Sequence, residues 1–99
     1  MTDKPQWATT YSRTADITQQ WRETVDQHQS GKVTAFLDLE FYPLQANLTG
    51  VAIEDDDGLP VHWSRDNLFR RLGVDGVDMA CNIEDAETKA AFDELQGAT

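Results

Sequence analysis

The sequence predicts one α+β domain. Its expected core is a small antiparallel sheet of 3–4 strands built on a central hairpin. An N-terminal helix, a short middle helix and a C-terminal helix pack against that sheet. Three observations carry the prediction. Residues 32–58 hold two alternating β-type runs joined by a short loop. Apolar residues recur at helical spacing on either side of that hairpin. At 99 residues, with 39% apolar and 26% charged side chains, the chain suits one small core and is not disordered by composition.

Residues 1–13 read as a loosely ordered tail, and residues 14–99 as the compact domain. Pro5 and the Thr9–Thr10 pair do not build a helix. Trp7 and Tyr11 are expected to pin the tail to the domain, because burying an aromatic ring recovers roughly 1.5–3 kcal/mol.

The first helix is expected from Ala15 to Gln29. Asp16 and Gln19 have capping-box spacing, and Ile17, Trp21, Val25 and His28 share one helical face. Gly31 is the expected C-terminal cap. His28, at the end of the stripe, reads as a helix-end or half-buried ring rather than a ligand.

The first hairpin strand runs from Lys32 to Phe41. Val33, Ala35, Leu37, Leu39 and Phe41 should face the core, with Phe36, Asp38 and Glu40 on the outer side. Tyr42 to Gln45 form the expected loop, since Pro43 cannot donate to a ladder. The second strand, Ala46 to Glu54, has a broken alternation. Either Leu48 and Ala52 or Val51 and Ile53 face inward, and a bulge at Gly50 would let the phase switch. Asp55-Asp56-Asp57-Gly58 is a turn in which glycine supplies positive φ. A third strand, Leu59 to Trp63, follows it.

Ser64 should cap a brief helix from Arg65 to Leu72, with Leu68, Phe69 and Leu72 inward and Gly73 as its stop. Val74 to Cys81 is expected as a fourth short strand. The last helix should begin at Asn82 or Asp85 and bury Thr88, Ala91, Phe92 and Leu95.

Chemistry-bearing patterns are sparse. A calcium loop begun at Asp55 puts Leu59 and Pro60 where an oxygen ligand and a glycine belong. One begun at Asp75 puts Val77 on a ligand position. His28, His62 and Cys81 have no paired zinc-type spacing. Cys81 has acidic neighbours in Asp78 and Glu84 and nothing nearby to activate a thiolate, so it reads as a small buried hydrophobe. Asp38 and Glu40 are paired carboxylates, but on a solvent face without an implied pocket. No phosphate-binding glycine loop is present. The expectation is a protein without catalytic residues, metal or cofactor.

Charge points instead to recognition. Eighteen acids against eight bases give a net charge of −10. Residues 54–99 carry twelve of the acids and four of the bases. Gripping a nucleic-acid backbone needs clustered Lys and Arg, so direct nucleic-acid binding is not expected. No apolar run approaches the roughly 20 residues of a membrane span. A single cysteine and the absence of a leader pattern make the cytoplasm the expected location. The matching partner is a basic protein surface, such as a nucleic-acid-binding protein or nuclease complex. A plain solubility role, or adaptation to high salt, would account for the same acidity.

In composition alone the chain resembles small phage and plasmid proteins such as anti-CRISPR and antirestriction proteins, many of them acidic mimics of DNA. That resemblance implies a stoichiometric inhibitor whose carboxylates replace phosphates in a basic groove. The expected contact residues are Phe36, Asp38, Glu40 and Tyr42 on the hairpin, Glu54, Asp55, Asp56 and Asp57 at its far end, and Asp93 and Glu94 on the last helix. The alternatives are an immunity- or antitoxin-type protein covering a basic toxin, and a structural or adaptor domain.

Overall fold

The computed structural model describes residues 11–41 and 43–97. In chain order the elements are β1 (Tyr11–Asp16), α1 (Thr18–Thr24), β2 (Val33–Phe41), β3 (Leu44–Glu54), β4 (Pro60–Ser64), α2 (Arg65–Leu72) and α3 (Val74–Gly97). The four strands form one antiparallel sheet in the order β1-β2-β3-β4. This is an α+β fold on a central β2–β3 hairpin, with N-terminal, short middle and C-terminal helices.

The core lies on one side of the sheet. β2 alternates as its sequence requires, with Val33, Ala35, Leu37 and Leu39 buried. Their register partners Ala46, Leu48 and Val51 on β3 are also buried, and Ile53 packs against them. Ile17 and Trp21 from α1, Leu68 from α2, and Met79, Ala80, Ile83 and Ala91 from α3 complete the same cluster. Both inward phases expected for β3 are partly realised. Leu48 precedes the register shift and Val51 follows it, because the pairing moves from Phe36↔Gly50 to Leu37↔Leu48. The extra residue is thus Thr49 rather than Gly50. Gly50 is needed beside it: a Cβ there would meet the Trp63 carbonyl oxygen at 2.7 Å.

Several local expectations are corrected. Tyr11, Ser12 and Arg13, placed in the tail, belong to β1 and pair with Leu39, Asp38 and Leu37. Ala15 and Asp16 end that strand instead of starting a helix. α1 is one short segment, with Ile17 at its N-cap and its backbone N–H on Val33 O at 2.9 Å. Asp16 does serve this end, but through an Asx turn: its carboxylate accepts from the Thr18 N–H at 3.0 Å and hydroxyl at 2.6 Å. Gln19 instead donates to Glu23. The helix stops by Val25 because Asp26 turns the chain, accepting from the His28 N–H at 2.9 Å. His28 therefore lies outside the helix and is exposed. Gly31 is not a helix cap. It lies where a Cβ would collide with the Glu54 carbonyl oxygen.

The segment from Val74 to Cys81 is helix, not strand. Gly76, Met79, Ala80 and Ile83 recur at helical spacing and are buried, and Gly76 lets α3 approach the Leu68 carbonyl closely. This rotation leaves Ala91 buried but Phe92 52% and Leu95 47% exposed. It also exposes Cys81, which is not the buried hydrophobe expected.

Other local signals hold. The Ser64 hydroxyl accepts from the Asn67 N–H at 3.2 Å, and Gly73 ends α2 at φ 61°. Gly58 takes φ 81° in the β3–β4 turn. The β2–β3 loop is shorter than expected, since Leu44 and Gln45 already belong to β3.

Candidate interaction surface

With the helices gathered on one face, no other described element covers the opposite face of the sheet. Register places Ser12, Thr14 and Asp16 from β1 beside Asp38, Phe36 and Thr34 from β2 on this side. Asn47, Gln45 and Ala52 of β3 and His62 of β4 continue it. Phe36 lies across the bulged strand and stacks on His62, with ring centroids 6.1 Å apart. Asp38 is half-buried beside this pair and makes no ion pair among the described residues. Glu40 is exposed and accepts from Asn47 Nδ2 at 2.9 Å. Three of the expected contact residues, Phe36, Asp38 and Glu40, thus share one face. Tyr42 lies outside the described residues.

The remaining expected residues are elsewhere. Glu54 to Asp57 sit at the opposite end of the hairpin, at the β3–β4 turn. Asp55 builds that turn: its carboxylate accepts from the Asp57 and Leu59 N–H groups, both at 2.9 Å. Asp56 accepts from the Ser30 hydroxyl at 2.6 Å. A cleft of about 440 Å³ opens beside the turn, lined by Asp26, His28, Glu54, Asp55, Asp56 and Trp63 among others. Ser30 also lines it, with its hydroxyl on Asp56 at the exposed rim. Among the described residues no group of three or more His, Cys, Asp or Glu is placed to hold a metal ion.

Asp93 and Glu94 lie on α3, across the sheet from Phe36. Asp93 pairs loosely with Lys89 at 3.6 Å. Glu94 forms a two-point contact with Arg13 of β1, at 3.1 and 2.6 Å, while Arg13 Nε reaches Glu87 at 2.6 Å. The guanidinium hydrogen bond holds the Glu94 carboxyl below its usual range, and the two carboxylates hold Arg13 firmly charged. Hydrogen bonds from Thr18 similarly lower Asp16. Glu94 is therefore a clasp between β1 and α3.

A second clasp went unseen in the sequence. β4 pairs with Gly50–Glu54, and among the described residues no strand pairs with the earlier part of β3 on that side. Side chains replace the missing strand. Thr88 Oγ1 accepts from the Ala46 N–H at 2.9 Å, and Glu84 from the Leu48 N–H at 2.8 Å. Arg65 donates to Leu48 O at 3.0 Å and pairs with Glu84. A covered edge of this kind blocks stray strand pairing. The unequal lengths of the β3 and β4 runs were a usable signal for an orphaned edge. The identity of its cover was not readable.

No helix among the described residues is long and apolar enough to cross a membrane. No protein-family model, curated protein or solved structure matches this chain.

Proposed function

We propose that this is a small acidic protein-binding inhibitor of phage or plasmid type, anti-CRISPR- or antirestriction-like, acting in the cytoplasm. It occupies a basic nucleic-acid-binding surface of a host defence complex with its carboxylates, and it is not an enzyme. The observation that carries this reading is the open sheet face. An aromatic pair, Phe36 on His62, lies there beside Asp38 and Glu40 on a rigid central strand. The stacked rings supply an apolar anchor, and the carboxylates supply charge-assisted pairs to Arg or Lys. A net charge of −10 speeds encounter with a basic partner and deters a nucleic acid from binding in its place.

The test is inhibition of DNA cleavage by purified guide-RNA nucleases and restriction enzymes. Inhibition should saturate at one inhibitor per enzyme and fade as salt screens the pairing. Asp38→Lys with Glu40→Lys should abolish it while leaving the fold intact. Inhibition at substoichiometric ratios would overturn the reading in favour of catalysis. An unaffected double variant would remove the sheet face from the interface. Inhibition of a secreted basic toxin instead would assign the protein to the immunity class.

A further inference from the structure

The acidic sheet face leaves α3 unexplained. A helix packed on a core should turn its apolar residues inward, yet α3 keeps a second apolar line outside. Val74 is 74% exposed, Val77 42%, Phe92 52% and Leu95 47%. Cys81 is exposed between them. At about 3.6 residues per turn these positions fall within one arc of the helix as two apolar patches, residues 74–81 and 92–95, with exposed Asp85 and half-buried Thr88 between them. Alongside them runs a second line, Asp75, Asp78, Asp85 and Asp93, all exposed. Lys89 is the one base in α3. Asp75, Asp78 and Asp85 form no ion pair among the described residues, in contrast to Glu84, Glu87 and Glu94 on the inward side. The helix is thus amphipathic on both sides. One side holds the core, and beside it lie two apolar patches flanked by an acidic rail.

We infer that this outer side of α3 is a docking surface for a basic amphipathic helix of the partner protein. Apolar residues of that helix would lie on Val77, Cys81, Phe92 and Leu95, with its Lys or Arg side chains against the aspartates. Charge selects this occupant. A second copy of the chain would bring another net charge of −10 to the same face and set Asp85 near its own counterpart. A basic helix matches both lines at once, the helix-on-helix form of amphipathic recognition. The inference rests on the basic-partner reading and adds a second contact, across the sheet from Phe36.

The probe is a synthetic helical peptide of about five turns, with leucine at heptad positions and lysine elsewhere. It is titrated into the isotope-labelled full chain at low salt. Amide shifts should concentrate on α3, and bound peptide should shield Cys81 from a thiol reagent. Phe92→Asp and Asp78→Lys with Asp85→Lys should each weaken binding about tenfold or more, whereas Phe92→Leu should retain it. These positions are exposed, so the urea midpoint of each variant should stay near that of the parent. A peptide with glutamate in place of lysine should not bind.

Binding that is lost in Asp38→Lys/Glu40→Lys but kept in the α3 variants would overturn this inference and leave the basic-partner reading standing. Absence of peptide binding would also overturn it, and the cleavage assay would then judge the inhibitor reading alone. A dimer in sedimentation that Phe92→Asp dissolves would replace the peptide with a second copy. Nuclear Overhauser contacts from residues 1–10 to Phe92 would replace it with the chain's own N-terminal segment.

Discussion

Replacing Glu84 with alanine should reveal that this acid belongs to the fold and not to the surface field. Its side chain is 17% exposed, accepts from the Leu48 N–H at 2.8 Å and pairs with Arg65, which itself donates to Leu48 O. Glu84→Ala strands the Leu48 N–H beside α3, where water reaches it poorly. A stranded donor costs about 1–3 kcal/mol. The partly exposed ion pair adds up to about 1 kcal/mol. The expected loss is about 2–3 kcal/mol, a large share of the roughly 5–15 kcal/mol that holds a domain of this size. Urea unfolding followed by tryptophan fluorescence reads it directly, since Trp21 is buried in the core. The midpoint should fall with the slope unchanged. Glu84→Gln keeps an acceptor for Leu48 and should lose about 1 kcal/mol or less. If glutamine costs as much as alanine, charge and not edge coverage is the cause. If alanine costs less than about 0.5 kcal/mol, the reasoning fails outright.

Two further outcomes test the frame. Gly50→Ala places a methyl 2.7 Å from the Trp63 carbonyl, where the obstacle is backbone and cannot swing away; the expected cost is about 2 kcal/mol or more by urea unfolding, with faster hydrogen exchange along β3 and β4. Arg13→Met should return the Glu94 carboxyl to its usual range in an NMR titration. Because the folded pKa is the lowered one, the clasp stabilises above the unfolded value and is lost as pH falls through the folded value. The parent should therefore lose stability on acidification below the ordinary glutamate range, and Arg13→Met should show a smaller loss there.

These contacts also divide the acids by role. Glu84, Glu87 and Glu94 hold α3 to the sheet and its edge strand. Asp55 shapes a turn, and Asp16 shapes the entry to α1. Asp38 on the sheet, and Asp75, Asp78 and Asp85 on α3, have no comparable structural task among the described residues. They lie on opposite faces of the molecule, so the acidity is not one continuous field. Counting carboxylates along the chain could not separate these groups, because the distinction depends on which face each carbon skeleton reaches.

The sequence by itself determined what near neighbours decide. Alternation from Val33 to Leu39 sets a strand with one buried face. Ser64 and Gly73 bound a helix through their own backbone chemistry, and Gly58 completes a turn through positive φ. The outer positions of Phe36, Asp38 and Glu40 follow from the same alternation. Only the tertiary structure decided the rest. Tyr11 to Asp16 become a strand because β2 offers them an edge, a gain that no local pattern contains. Val74 to Cys81 has apolar residues compatible with either period, and packing of Gly76 against α2 selects the helix. That packing also fixes the rotation of α3, which turns Cys81, Phe92 and Leu95 outward and Glu84 onto an orphaned edge. Local chemistry chose where the elements begin and end; burial against distant partners chose which faces remain for a partner to meet.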